Sequence, residues 1–294
     1  MKVERVAVVG AGTMGAGIAQ VCAQAGYETH LVDAQPEALE RGLQRIHDFW
    51  DKGIAKGKTK PEDKQRWGAN LRTERDLATA AKAADLVIEA VPEILDLKQR
   101  IFRDVDRAAP ADAVLATNTS SLSISAIAGA TKRPHAVVGM HFFNPVPLMQ
   151  LLEIVRHDQA SAAAVQTAQE VAKRLGKTSI VVRDSPGFAT SRLGIVLGNE
   201  AMRMLESGVA SAKDIDTAMR LGYGHPMGPL ELSDLVGLDV RLSISDYLQK
   251  TLGGTQYESP AVARRLVERG ELGKKTGKGL YDWSSGEARE RDLR

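Results

Sequence analysis

Arg5-Val6-Ala7-Val8-Val9-Gly10-Ala11-Gly12-Thr13-Met14-Gly15 is the stretch that decides the fold. Its apolar run without polar alternation has the character of a strand buried on both faces. The strand turns through three glycines directly into Met14 to Ala25, which has helical spacing and ends at Gly26, a suitable C-cap. A glycine fingerprint between a strand and a helix is the context that phosphate binding requires. Gly10 permits the tight turn, Gly12 lets a pyrophosphate approach the backbone, and Gly15 lets helix and strand pack closely. Thr13 and Met14 then open a helix whose unpaired N–H groups and partial positive charge face the phosphates.

Asp33 closes the next apolar run, about 20 residues downstream, where a carboxylate binds the adenosine ribose hydroxyls. Ala34 follows it, and no arginine or lysine adjoins to accept a 2′-phosphate, so the expected cofactor is NAD rather than NADP. The competing reading, a glycine turn in another α/β fold with Asp33 as a helix cap, does not explain the whole set.

The runs Thr29 to Val32, Leu86 to Val91, Val114 to Thr117, Val137 to Met140 and Ser179 to Val182 alternate with stretches of helical period, among them Ile94 to Ala108. That alternation predicts an α/β fold with a Rossmann-type, mostly parallel sheet. Leu148 to Val155 reads as a buried strand with Glu153 turned to a polar pocket; a helix start with Glu153 exposed is the alternative. After Arg183 strand signals stop, and Asp184-Ser185-Pro186-Gly187-Phe188 predicts a helix start with Ser185 as N-cap. Helical patterns then cover Gly187 to Glu206, Ala210 to Leu221, Pro229 to Leu252 and Pro260 to Glu268. The expected organisation is a dinucleotide-binding domain over 1–183, an all-helical C-terminal domain over 184–283, and a polar tail over 284–294 that frays.

With 294 residues, 43% of them hydrophobic, the chain can form two cores. A formal charge of +2 is too balanced to favour nucleic acid or an anionic membrane as partner. Cys22 is the single cysteine, which rules out an internal disulfide. The first strand begins close to Met1 and no apolar run approaches a membrane span, so the expected location is the cytoplasm.

An alcohol carbon surrenders hydride only as its O–H proton leaves, which without a metal requires a general base near neutral pKa. Among six histidines, His141 in His141-Phe142-Phe143-Asn144-Pro145 is the best candidate, and Glu153 can orient its ring. Ser120, in Thr117-Asn118-Thr119-Ser120-Ser121 after a strand end, can donate to a substrate oxygen. Asn118 and Ser121 can equally cap a helix near Ile124, and Asn144 can donate to a carbonyl or pin the Pro145 turn. The histidines lack the paired spacing of a zinc site, so no metal is expected. The Gly-x-Ser-x-Gly elbow of a serine hydrolase is absent from the sequence.

These motifs, with Asp184-Ser185-Pro186-Gly187-Phe188, Gly224-His225-Pro226-Met227-Gly228-Pro229 and Gly273-Lys274-Lys275-Thr276-Gly277, resemble the single-function 3-hydroxyacyl-CoA dehydrogenase family, especially its bacterial 3-hydroxybutyryl-CoA members. The resemblance runs from about residue 4 to 283, in the family's order and approximate spacing. It implies NAD-dependent, reversible oxidation of an (S)-3-hydroxyacyl-CoA to the 3-oxoacyl-CoA, with His141 as base and Glu153 as its partner. It also implies that Ser120 and Asn144 contact the reacting oxygen or nicotinamide region, that Glu93 and Lys98 lie near the cofactor, and that Lys275 reaches it from the helical domain. A homodimer through that domain is implied as well.

Lys52, Lys56, Lys58, Lys60 and Lys64 fall in a segment, near 45–66, that the family uses as a helical arm beside CoA; Lys56 is the best candidate for a phosphate contact. Ser191 stands where the family commonly has a substrate-holding asparagine, and it offers one hydroxyl in place of an amide's donors and acceptor. Two other functions fit parts of this pattern: a dehydrogenase of a free hydroxy acid such as a sugar acid or carnitine, which needs no lysine-rich arm, and a non-enzymatic NAD-binding scaffold.

Overall fold

The computed structural model describes residues 2–293. Contacts divide the chain into two compact units, Met1–Ser185 and Pro186–Arg294. In the first, β1 (Arg5–Val9), α1 (Thr13–Gln24) and β2 (Glu28–Val32) lead to a helical excursion, α2 (Pro36–Ala55) and α3 (Pro61–Ala69). The chain returns through β3 (Leu71–Glu74), α4 (Leu77–Lys82), β4 (Leu86–Glu89), α5 (Leu95–Ala108), β5 (Val114–Thr117) and α6 (Ile124–Ala128). β6 (Val137–Phe142), β7 (Leu151–Arg156), α7 (Ala162–Arg174) and β8 (Thr178–Arg183) complete it.

The eight strands form one sheet in the order β3-β2-β1-β4-β5-β6-β7-β8, and only the β6–β7 pair is antiparallel. From β1 the chain moves outward to β3 and then crosses back to β4 on the other side of β1. The order therefore reverses between β1 and β4, where open α/β sheets bind ligands at their carboxyl ends. β4, β5 and β6 are buried along their whole length, which explains why they are apolar except at Glu89, Thr117 and His141 near their ends.

β3 escapes the sequence pattern. Leu71-Arg72-Thr73-Glu74 has no apolar run because it is an edge strand, half in solvent and paired with β2 alone. The segment after Pro147 is a strand as expected, but only from Leu151; Leu148 lies in a turn and is 65% exposed. The α2–α3 excursion is held by Trp50, 1% exposed, whose ring lies 5.8 Å from that of Trp67, and by a Lys64–Asp51 ion pair at 2.5 Å.

The second unit is helical: α8 (Thr190–Glu206), α9 (Ala212–Gly222), α10 (Pro229–Val236), α11 (Leu238–Leu252) and α12 (Ala261–Glu268). Its core gathers Leu230, Leu238, Leu266, Leu280 and Trp283. Three expectations need correction here. Ser185 does not cap a helix, because residues 186–189 form a turn with Gly187 at φ 74° and Phe188 at φ 48°, and α8 starts at Thr190. Pro229 to Leu252 is two helices, divided where the backbone reverses at Gly237, φ 104°.

The stretch after Trp283 does not fray as far as Leu293. Asp282 and Arg289 exchange backbone hydrogen bonds, Arg291 donates to Gly279 O and pairs with Glu271 at 2.9 Å, and Leu293 packs on the core. Two buried carboxylates hold this unit's connections. Asp234 accepts from Leu280 N, Tyr281 N and Trp283 Nε1, each at 2.8 Å, and Asp216 accepts from Leu230 N, Glu231 N and the Tyr281 hydroxyl. Burial raises the Asp234 carboxyl above its ordinary pKa, although the Trp283, Leu280 and Tyr281 bonds pull downward.

Candidate active site

At the carboxyl end of β1 the glycine loop has little room for side chains. Gly10 adopts φ 102° and donates to Val32 O at 2.7 Å, and a Cβ there would lie 2.8 Å from Ala90 O. A Cβ on Gly15 would meet Gly10 O at 1.7 Å, so helix and loop approach too closely for any larger residue. Gly12 is the N-cap of α1 and no side chain caps that helix, while nothing lies within 4 Å of the position a Gly12 Cβ would take. The first turn of α1 thus offers amides to an anion over an open approach.

Gly10, Gly12, Thr13, Met14 and Asp33 line one cavity of about 760 Å³ together with Val91, Pro92, Leu97 and Ile101. The Asp33 carboxylate is fixed in place: Oδ2 accepts from Ala11 N at 2.9 Å and Oδ1 from Gln35 N at 3.0 Å. Apolar walls with an acidic group at one end suit an adenosine. The expectation that no cation adjoins Asp33 is overturned, because Arg75 lines the same cavity. It follows β3, the strand that the sequence pattern missed.

Beneath the ends of β4 and β5 lies a buried ionic network. Lys98 is 1% exposed; its Nζ meets Glu89 Oε1 at 2.7 Å, Val91 O at 3.2 Å and Glu93 Oε2 at 3.3 Å. Glu89, also 1% exposed, accepts from Val91 N at 2.7 Å and from the Thr117 hydroxyl at 2.6 Å. Every proton of the ammonium has an acceptor, which a buried cation requires. Lys98 is therefore enclosed rather than presented on the cavity surface.

Glu93 carries the network outward to the Ser120 loop. Its Oε1 accepts from the Thr119 hydroxyl at 2.5 Å, from Ser120 N at 3.0 Å and from Ser121 N at 3.2 Å, and the Ser120 and Ser121 hydroxyls each lie 3.3 Å away. Burial would raise the Glu93 carboxyl, but Lys98 and these donors outweigh it and hold the pKa below its ordinary value. Neither Asn118 nor Ser121 caps α6. Ser123 does, accepting from Ala126 N, while Asn118 Oδ1 accepts from Phe142 N at 2.9 Å and ties the end of β5 to the end of β6.

His141 and Glu153 face each other across the one antiparallel pair of the sheet, in direct register. His141 Nδ1 lies 2.7 Å from Glu153 Oε2, with His141 6% and Glu153 0% exposed, and the Phe143 ring, tilted by 52°, lies 4.5 Å from the imidazole. A carboxylate at Nδ1 fixes the ring's orientation and tautomer and directs proton exchange to Nε2. Asn144 is exposed just beyond β6. Lys56 is exposed at the C-cap of α2. In the second unit, Ser191 lies in the first turn of α8, and Lys275 is exposed and pairs with Asp239 at 2.6 Å.

Two matches to known families cover nearly all of the chain: "3-hydroxyacyl-CoA dehydrogenase, NAD binding domain" over residues 5–185 and "3-hydroxyacyl-CoA dehydrogenase, C-terminal domain" over residues 187–283. The chain belongs to the 3-hydroxyacyl-CoA dehydrogenase family. It is 41% identical to a probable 3-hydroxybutyryl-CoA dehydrogenase of Bacillus subtilis strain 168 over 283 residues, 96% of this chain and 98% of that protein. It is 40% identical to a 3-hydroxybutyryl-CoA dehydrogenase of Clostridioides difficile over 280 residues, 95% of this chain and 99% of that one. The crystal structure of (S)-3-hydroxybutyryl-CoA dehydrogenase from Ralstonia eutropha superimposes with a TM-score of 0.91 at 38% identity, covering 99% of this chain and 100% of that one.

The protein is thus an oxidoreductase that uses NAD(H), and the cavity fits that cofactor: open amides for the pyrophosphate, Asp33 for a ribose and apolar walls for an adenine. Among the described residues, no helix is long and apolar enough to cross a membrane. Sequence reasoning missed Glu89, Thr117 and Arg75. The first two close buried apolar strands, and only their polar type at those ends could have marked them.

Proposed function

We propose that the chain catalyses the reversible oxidation of an (S)-3-hydroxyacyl-CoA, with 3-hydroxybutyryl-CoA as the preferred ester, to the 3-oxoacyl-CoA. The buried His141–Glu153 pair at 2.7 Å carries this reading. NAD, when bound, supplies the hydride acceptor. His141 Nε2 takes the hydroxyl proton as the C3–H electron pair departs and the C3–O double bond forms. The Glu153 carboxylate stabilises the imidazolium and keeps the ring aligned. In reduction the same imidazolium returns the proton to the 3-oxo oxygen.

Ser120 donates to the reacting oxygen, and Glu93 keeps its loop in shape through the bonds at Oε1. Asn144 completes the polar surroundings of the reacting group and nicotinamide. Lys98 acts from beneath, fixing Glu93 and Glu89 rather than touching the cofactor. Gly10, Gly12, Thr13, Met14, Gly15 and Asp33 hold the dinucleotide. Lys56, exposed at the tip of the α2–α3 arm, meets a CoA phosphate, and Ser191 replaces an amide contact to the acyl chain by a shorter hydroxyl.

The helical unit leaves Leu221, Tyr223, Leu193 and Val209 exposed at 82, 79, 72 and 64%, which supports a homodimer through that unit. The four-carbon acyl group follows the names of the Bacillus, Clostridioides and Ralstonia relatives as 3-hydroxybutyryl-CoA dehydrogenases. The test is NADH oxidation with acetoacetyl-CoA, longer 3-oxoacyl-CoA esters and free acetoacetate. Turnover of acetoacetyl-CoA well above the other two is expected, and equal turnover of free acetoacetate would replace this reading by a hydroxy-acid dehydrogenase.

A further inference from the structure

The adenosine end of the cavity contains a cation that the glycine fingerprint does not require. Val32 and Glu74 are register partners on β2 and β3, and Asp33 N donates to Glu74 O at 3.3 Å. Asp33 and Arg75 are thus the residues that directly follow the last registered pair of these two strands. The Arg75 backbone is fixed: Glu74 Oε1 accepts from Arg75 N at 2.7 Å and Asp76 N at 2.9 Å, and Asp76 then caps α4. Its guanidinium makes no hydrogen bond or ion pair among the described residues, and Arg75 is among the residues that line the cavity with Asp33, Ala34 and Gln35.

We propose that Arg75 is a second determinant of cofactor choice: it gives the adenosine end of the pocket a cation able to hold a 2′-phosphate, so that the Asp33 carboxylate alone excludes NADP(H). The inference rests on the reading that Asp33 meets the adenosine ribose. A guanidinium is planar, weakly hydrated and always charged, and it grips phosphate oxygens in pairs. Asp33 prevails in the native chain because two backbone amides hold it rigidly, whereas Arg75 must first lose rotamer freedom. A 2′-phosphate entering the site is met by fixed repulsion and mobile attraction. With the Asp33 charge removed, only the attraction remains.

Calorimetric titration of the full chain with two probes that differ only in the 2′-phosphate, 5′-AMP and adenosine 2′,5′-bisphosphate, reads this directly. Asp33→Asn keeps an acceptor for Ala11 N and should gain affinity for the bisphosphate. Adding Arg75→Ala should then weaken bisphosphate binding about tenfold or more, the size of a lost charge-assisted hydrogen bond, and change 5′-AMP binding less than about threefold. Arg75→Lys in the same background should keep part of the gain. Equal losses for both probes would make Arg75 a platform under the adenine, and no loss for either would leave it a solvated side chain; each result overturns the proposal. If neither probe competes with NADH on the unmutated chain, the placement of adenosine itself fails, and the inference fails with it.

Discussion

The two units bury carboxylates in opposite company. In the sheet unit, Glu153 faces an imidazole and Glu89 an ammonium, both at 2.7 Å. In the helical unit, Asp216 and Asp234 face backbone amides, a tyrosine hydroxyl and an indole, and neither forms an ion pair among the described residues. All four are 3% exposed or less, so burial alone does not distinguish a chemical role from a structural one. The partner distinguishes them. An imidazole can serve as a general base, which is the role proposed for His141; a backbone amide cannot, and holding it fixes a chain crossing.

Replacing His141 should break the sheet-unit half of this comparison most severely. Turnover in His141→Ala is expected to fall on the order of 10³-fold, within the range of a lost general base, while NADH binding measured by fluorescence stays within about threefold. Near-native turnover would remove the base assignment. Glu153→Gln sharpens the same point: the amide keeps the shape but not the charge that stabilises an imidazolium, so turnover should fall on the order of 10²-fold with little change in NADH affinity. A parallel loss of cofactor binding would instead give Glu153 the structural role assigned to Asp234.

Asp234→Asn tests the other half. Asn has one acceptor oxygen for three donors and adds an NH2 that faces Trp283 or the 280–281 amides. At least one buried donor then loses its partner, which costs about 1–3 kcal/mol by urea denaturation. Specific activity of the remaining folded protein at low temperature should be near native. A catalytic defect without destabilisation would show that the helical unit's carboxylates are not merely structural.

How much of this was legible in the sequence follows from how local each feature is. β1, the glycine turn and α1 are contiguous, so their pattern and function are read together. His141 and Glu153 are separated by a hairpin-like return through Pro145 and Pro147, and the sequence supplies both residue types but not the register that sets them opposite each other. Glu89, Lys98 and Thr117 come from three segments, and apolar periodicity conceals polar residues whose partners are distant. Arg75 was hidden for a further reason: an edge strand with one neighbour needs no apolar run, and without β3 nothing places residue 75 beside residue 33. The Gly237 break was masked because helical spacing continues on both sides of it.

Glu93 stands between the two kinds of carboxylate, since it faces both a cation and backbone amides, and acid separates its roles. Its folded pKa lies below the ordinary value of 4.5, so its contribution to loop order is complete above about that pH and is lost as the pH falls through the folded value. Protonation removes the attraction to Lys98 and weakens the acceptor for Thr119, Ser120 and Ser121. Hydrogen exchange of the 119–122 amides should therefore accelerate several-fold below pH 4.5, before global unfolding, and Glu93→Gln should show that faster exchange already at pH 7. With the loop loosened, Ser120 meets the substrate oxygen less often, so the variant should lose turnover by a smaller factor than Glu153→Gln. If exchange in the native chain is unchanged down to the pH of global unfolding, Glu93 does not order the loop.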